Sequence, residues 1–257
     1  MINFENFKQN LFPQYLTETS FAVQNLEHLQ DAEISTKNFD FYTSVSSVYS
    51  SKIEGEEIDL DSYIKHKNFG IQYEPDYTKK IDDLYAAYQF AKNQSLTKEN
   101  LLEAHKILSK NILSEKQRGI FRTSNMFVLT DDGKIEYVAA APNDVESEMQ
   151  NFFMFLENFR LKKSTIHESF FNASFLHLLF VKIHPMNDGN GRLARLLEKW
   201  FLAEKLGEKA WFLETEKMYY QNHQLYYQNL RKLGLGYEDL DFKNGLDFFK
   251  MLPLSLK

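Results

Sequence analysis

The stretch His184-Pro-Met-Asn-Asp-Gly-Asn-Gly-Arg-Leu-Ala-Arg195 joins two helical patterns, and both the fold and the chemistry turn on it. The run His167 to Ile183 before it is apolar on nearly every side, as a buried central helix requires. Pro185 opposes continuation of that helix, because its ring removes a donor and restricts the residue before it. Gly189, Asn190 and Gly191 are residue types that tolerate unusual backbone angles. They lead into an amphipathic stripe of Leu193, Leu196, Leu197, Trp200 and Phe201, with a cap at Gly207. The loop N–H groups and the N-terminus of this second helix converge on one point, an anion nest. Arg192 and Arg195, three apart, share one helix face beside the nest, an arrangement suited to a polyphosphate. Asp188 at the nest's edge suits Mg2+, with substrate oxygens and waters completing the shell. His184, across the loop, can accept a proton from an incoming hydroxyl. These parts together specify phosphoryl or nucleotidyl transfer.

Outward from the motif, helical spacing recurs. Ile81, Leu84, Tyr85 and Tyr88 follow it, Thr97 with Asn100 and Leu101 opens a helix ending before Ser114, and Pro142-Asn143 starts one reaching Phe159. Asn125 to Ala141 breaks the pattern: two β-prone runs flank Asp132-Gly133, a hairpin signal. The expectation is an all-α fold carrying one β-hairpin. No Pro/Gly/Ser linker divides the chain, and the nearest thing to a boundary is Lys65 to Thr78.

The 257 residues are 43% apolar and 26% charged, enough apolar surface to offset chain entropy. Only 10 Gly and 5 Pro disfavour a turn-rich β fold. The net charge of −6 lacks a basic nucleic-acid footprint. Without cysteine there is no disulfide, thiolate zinc site or Cys nucleophile. Met1 to Leu11 lacks a secretory signal, and Phe170 to Ile183 is too short and too interrupted to span a membrane. The chain is therefore expected to be soluble and cytoplasmic, with neither nucleic acid nor membrane as a partner.

The motif resembles that of the Fic (filamentation induced by cAMP) family, H-P-F-x-[D/E]-G-N-G-R-x-x-R, departing from it only at Met186. That position is usually a packing Phe, for which Met is a mild change. Gly119-Ile-Phe-Arg122, the hairpin and Tyr137 to Pro142 resemble the family's flap region, and Tyr226-Tyr227 resembles a downstream Tyr pair. Upstream, Ser50-Ser-Lys-Ile-Glu54-Gly55 resembles the family's inhibitory motif, [S/T]-x-x-x-E-[G/N], in the N-terminal, class II-like position.

The resemblance implies a Fic helical core at residues 79–236 with a β-hairpin flap. An N-terminal helical region, 1–78, would carry the inhibitory helix, and 237–257 would be a structural tail. Residues 1–40 are expected to pack on the core or on a partner chain.

It further implies a protein adenylyltransferase that moves AMP from ATP to a Ser, Thr or Tyr hydroxyl of a target protein. His184 would be the base and Asp188 the Mg2+ ligand. The amides of Gly189 to Gly191 and the Asn190 side chain would stabilise phosphate charge, with Arg192 and Arg195 on the β- and γ-phosphates. Tyr226 would line the adenine pocket. Tyr137, Val138, Ala139 and Ala140 would align the target by strand pairing. Ser50, Glu54 and Gly55 would form the inhibitory element, with Glu54 paired to Arg195 against the γ-phosphate. Family members often form homodimers.

Several rival readings remain open. The scaffold could remove AMP, move another phosphate-containing group, or bind nucleotide without turnover. Gly189 to Ala194 also fits G-x-G-x-x-A, but a dinucleotide site needs a preceding strand where this chain reads as helix. His177 lacks further ligands for a zinc site and reads as a core or groove residue.

Overall fold

The computed structural model describes residues 3–28, 36–73, 75–129, 133 and 135–256. In chain order the helices are α1 (Phe4–Glu18), α2 (Ala22–His28), α3 (Thr36–Ile53), α4 (Leu60–Phe69), α5 (Pro75–Lys92) and α6 (Lys98–Leu108). The hairpin strands β1 (Phe127–Leu129) and β2 (Ile135–Val138) follow. Then come α7 (Val145–Leu161), α8 (Ile166–Ile183), α9 (Asn190–Leu206), α10 (Thr215–Gln221), α11 (His223–Arg231) and α12 (Leu246–Leu254). The fold is all-α with a small antiparallel hairpin.

Helix α8 is the axis of the molecule. A capping box starts it: the Thr165 hydroxyl accepts from the Glu168 N–H, and the Glu168 carboxylate accepts from the Thr165 N–H. Beyond that first turn its side chains are buried almost all round, so other helices must cover every face. α7, α9 and α12 do so. α9 ends where expected, at Gly207 with φ +85. The helix signalled by Pro142-Asn143 begins two residues later, at Val145.

Both ends of the chain join this core. Phe4 and Phe7 of α1 meet Phe175 of α8 with ring centroids 4.7 and 5.4 Å away. Phe249 of α12 stacks on Phe171 at 4.4 Å. One hydrophobic cluster thus runs through all three segments that the sequence delimits. The N-terminal helix α1 packs on the core of its own chain.

Helix α3 is set into the molecule by small residues. Ser46, Ser47, Ser50 and Ser51 are buried, which lets α3 approach α5, α9 and α10 closely. Beneath it the Lys199 ammonium donates to Ser46 Oγ and Glu216 Oε2, each at 2.6 Å. The Tyr88 hydroxyl donates to the other Glu216 oxygen, also at 2.6 Å. Paired and hydrogen-bonded in this way, the two buried charges tie four helices together.

In the hairpin, Phe127 faces Val138 and Val128 faces Tyr137, with an irregularity between Val128 and Leu129. Asp132 of the expected turn lies outside the described residues, while Gly133 has φ +77. No helix among the described residues is long and apolar enough to cross a membrane.

Candidate active site

Helix α8 stops at His184, whose backbone is left-handed (φ 53, ψ 57), the one non-glycine positive φ among the described residues. Such a conformation costs free energy unless its surroundings enforce it. Arg122 is the enforcer. Its buried guanidinium donates to the carbonyls of His184 (2.7 Å), Ser124 (2.6 Å), Ala140 (2.6 Å) and Ile183 (3.2 Å). Its backbone N–H also donates to Pro185 O at 2.8 Å. The end of α8 and the root of the hairpin are thereby held by one side chain, which satisfies carbonyls that a helix terminus leaves free.

The loop itself has two further ties. The Asn190 side chain accepts from the Met186 N–H (2.8 Å) and donates to Met186 O (3.0 Å). Both ends of this side chain shape the loop, a role that the sequence reading did not include. Met186 is fully buried. His105 of α6 accepts the Gly119 N–H at Nδ1 (2.9 Å) and meets Asp188 O at Nε2 (2.9 Å). An amide N–H can only donate, so Nε2 carries the proton and donates to the Asp188 carbonyl. Burial pushes the His105 pKa down, which keeps that neutral tautomer.

At His184 the ring Nδ1 lies 3.2 Å from Val181 O. Nδ1–H is the donor there, which leaves the Nε2 lone pair available. Burial pushes the pKa below that of a free imidazole, and the Arg122 charge adds to the shift. The Val181 hydrogen bond and the Glu54 and Asp188 charges oppose it without reversing it. A half-buried, neutral imidazole with an open nitrogen is a competent base. Asp188 is exposed, with Oδ1 accepting the Gly189 N–H at 2.6 Å. Gly189 has φ +77 and opens α9.

Both motif arginines are buried rather than solvated. Arg195 donates from Nε to Ser50 Oγ (2.8 Å), and from Nη2 to Ser50 O (3.0 Å) and Glu54 Oε1 (2.6 Å). Burial alone would raise the Glu54 pKa; the guanidiniums of Arg195 and Arg192 outweigh it, and the net shift is downward. The same carboxylate lies against the first turn of α9, since a Cβ built on Gly191 would fall 2.5 Å from Glu54 Oε1. A side-chain anion from α3 therefore stands at the helix N-terminus where the nest was inferred.

The end of α3 explains how it arrives there. The Glu56 N–H donates to Ser51 O (3.1 Å) and the Gly55 N–H to Lys52 O (3.1 Å), with Gly55 at φ +90. This is a Schellman stop, which needs a residue free to adopt positive φ one place after the cap. It leaves Glu54 at the cap and Glu56 just past the turn. Glu56 reaches Arg192 Nη2 at 3.3 Å and Lys80 at 3.0 Å.

Beside the Glu54–Arg195 pair lies a cavity of about 100 Å³, lined also by Gly191, Tyr226, Tyr227 and the hairpin residues Val128, Glu136 and Tyr137. Small-molecule pockets begin at roughly 300 Å³, so with Glu54 in place the cavity is too small for a nucleotide. Tyr226 is buried, its hydroxyl 3.0 Å from His177 Nε2, and His177 Nδ1 is 2.7 Å from Glu198.

The flap residues differ from expectation in one respect. The Val138 N–H donates to Leu235 O (2.9 Å) and the Ala139 N–H to Met126 O (3.1 Å). Ala140 O is held by Arg122, and the buried Tyr137 hydroxyl donates to Lys182 O (2.9 Å). Strand pairing through Val138 and Ala139 is corrected accordingly, because those donors already have partners within the chain. The outer edge of β1 lies on the opposite side of the hairpin from this contact.

Residues 95–202 match the family model described as Fic/DOC. Over this segment, less than half of its length, the chain is similar to that family. The chain is 32% identical over 109 residues to "Protein adenylyltransferase Fic" of Nematostella vectensis, a match covering 41% of this chain and 22% of that relative. Among solved structures, a Fic family protein from Desulfovibrio desulfuricans G20 superposes with a TM-score of 0.78 at 18% identity, covering 96% of this chain and 71% of the other. A Fic domain containing signaling protein from Bacteroides thetaiotaomicron VPI-5482 gives 0.71 at 17% identity, covering 93% and 92%. At these identities the structural likeness concerns the fold. The motif, the hairpin, His105 and Arg122 lie within the matched Fic segment, while Glu54 and Tyr226 lie outside it.

Proposed function

We propose that the chain transfers AMP from ATP to a hydroxyl of a target protein and that Glu54 restrains it. The observation that carries this reading is the Glu54 carboxylate seated on Arg195 and against Gly191, an internal anion in a site built for anions, one loop away from a neutral imidazole. Once Glu54 swings aside, the N–H groups around Gly189 to Gly191 and the two arginines take up the polyphosphate.

The target hydroxyl gives its proton to His184 Nε2. Its oxygen bonds to the α-phosphorus, the bond from that phosphorus to the pyrophosphate oxygen breaks, and pyrophosphate leaves. With Glu54 in place, a like charge meets the terminal phosphate and the α-phosphorus is not presented in line. Asp188 is the residue that would hold Mg2+, since one exposed carboxylate beside phosphate oxygens fits that ion's preference. When bound, Mg2+ neutralises charge on the phosphates.

Intact-mass analysis of the Glu54→Gly chain after incubation with ATP and Mg2+ tests the reading. An added AMP on protein hydroxyls supports it. An added phosphate alone, or binding of ATP with no covalent product across a lysate, overturns it.

A further inference from the structure

We propose that Glu56 is a second inhibitory carboxylate, holding Arg192 as Glu54 holds Arg195, so that displacing Glu54 alone leaves the anion site half closed. The proposal rests on the nucleotide reading above and deepens its regulation.

The Schellman turn at Gly55 sends both carboxylates toward α9, one to each motif arginine. Glu56 and Arg192 are both about 95% buried, so their pairing is shielded from solvent. Yet the pair is incomplete. It rests on one contact of 3.3 Å, and both Glu56 Oε2 and Arg192 Nε are buried without a hydrogen-bond partner among the described residues.

Arg122, in the same domain, shows what a permanently held arginine looks like, with four carbonyls on its guanidinium. Arg192 instead retains unmet donor capacity at the edge of the nest. A buried donor without a partner carries a desolvation penalty that an incoming phosphate oxygen would remove.

A receiver for the displaced carboxylate is already in place. Lys80 of α5 donates to Glu56 Oε1, the oxygen that Arg192 contacts, and its side chain is 31% exposed. When a polyphosphate takes Arg192, Glu56 passes to Lys80 without being left as an uncompensated buried charge. α3 itself does not need to leave. Its Ser46 and Ser50 ties to Lys199 and Arg195 keep it in place, and the change is confined to the turn around Gly55.

The test is calorimetric titration of ATP with Mg2+ into the full chain carrying His184→Ala, so that nothing is consumed. Glu54→Gly is compared with Glu54→Gly/Glu56→Gln, and inorganic tripolyphosphate serves as a second probe. The double variant is expected to bind both probes about tenfold more tightly than Glu54→Gly, the scale of one charge-assisted contact released. Equal affinity makes Glu56 a bystander and weaker affinity makes it a positioning partner of Arg192; either overturns the second lock while leaving the nucleotide reading intact. If neither variant binds ATP or tripolyphosphate, the nucleotide reading falls and the lock falls with it.

Lys80→Met supplies a readout of opposite sign. In the Glu54→Gly background it leaves Glu56 wholly to Arg192 and weakens binding several-fold, and in the Glu56→Gln background that loss disappears. A loss that persists there reflects only the missing surface charge and overturns the role given to Lys80.

Discussion

The Arg122 guanidinium donates to the carbonyl of His184 at 2.7 Å, and this bond links the root of the hairpin to the left-handed residue that bears the imidazole. The placement of the His184 backbone is therefore set by a side chain 62 positions upstream. Arg122→Met removes four hydrogen bonds to carbonyls at once. In the Glu54→Gly background it should lower transfer by about 100-fold through misplacement of the ring. It should also destabilise the fold by about 3 kcal/mol, because carbonyls at the end of α8 lose their donors. Initial rates and urea denaturation check the two effects separately. A rate loss without destabilisation would mean that Arg122 acts on substrate instead.

Burial holds the His184 pKa below the usual imidazole value of about 6.5. A base works in its deprotonated form, so transfer should stay flat as pH falls to about 6.5 and decline only below it. Glu54 and Asp188 pull the value upward, so Glu54→Gly should carry its acid limb to still lower pH than wild type. A pH–rate profile of both proteins checks the order. An acid limb centred above 6.5 contradicts the environment assigned to the ring.

Gly191→Ala puts a methyl 2.5 Å from Glu54 Oε1 and 3.1 Å from Arg195 Nη1. In the otherwise wild-type chain this should cost roughly 1 to 2 kcal/mol. Adding Glu54→Gly should recover most of that stability. ATP binding should not recover, because the methyl also fills the nest. Thermal unfolding paired with calorimetric titration distinguishes the two.

Phe249 lies flat on Phe171 of the central helix and is fully buried. Phe249→Ala should cost about 3 to 5 kcal/mol, as for other large-to-small changes at buried aromatics. A loss under 1 kcal/mol by denaturant titration would mean that the C-terminal helix is peripheral.

The motif loop was readable because its signals are local: a proline after a buried helix, glycines, then an amphipathic stripe. The caps at Gly207 and the hairpin at Gly133 were readable for the same reason, since turn chemistry is written in adjacent residues. What escaped depends on contacts between distant positions. Nothing in the spacing of Gly119-Ile-Phe-Arg122 marks an arginine that collects carbonyls from α8, and His105 is one polar residue on an amphipathic helix until the fold brings Asp188 to it. The resemblance implies a phosphate role for the Asn190 side chain, and its bonds to Met186, which shape the loop, are not marked in the sequence. Glu56 follows the inhibitory motif directly, but its partners Arg192 and Lys80 are far away in the chain, so the spacing does not mark it.

The central claim is that Glu54, 2.6 Å from Arg195, keeps a competent transferase closed. Transfer of label from ATP labelled at its α-phosphate, in the presence of Mg2+, measures this most directly in wild type, Glu54→Gly and Glu54→Gly/His184→Ala. The account predicts faint labelling of wild type, at least about tenfold more for Glu54→Gly, and none for the double variant. Equal labelling of wild type and Glu54→Gly, or labelling that survives loss of the imidazole, would contradict it.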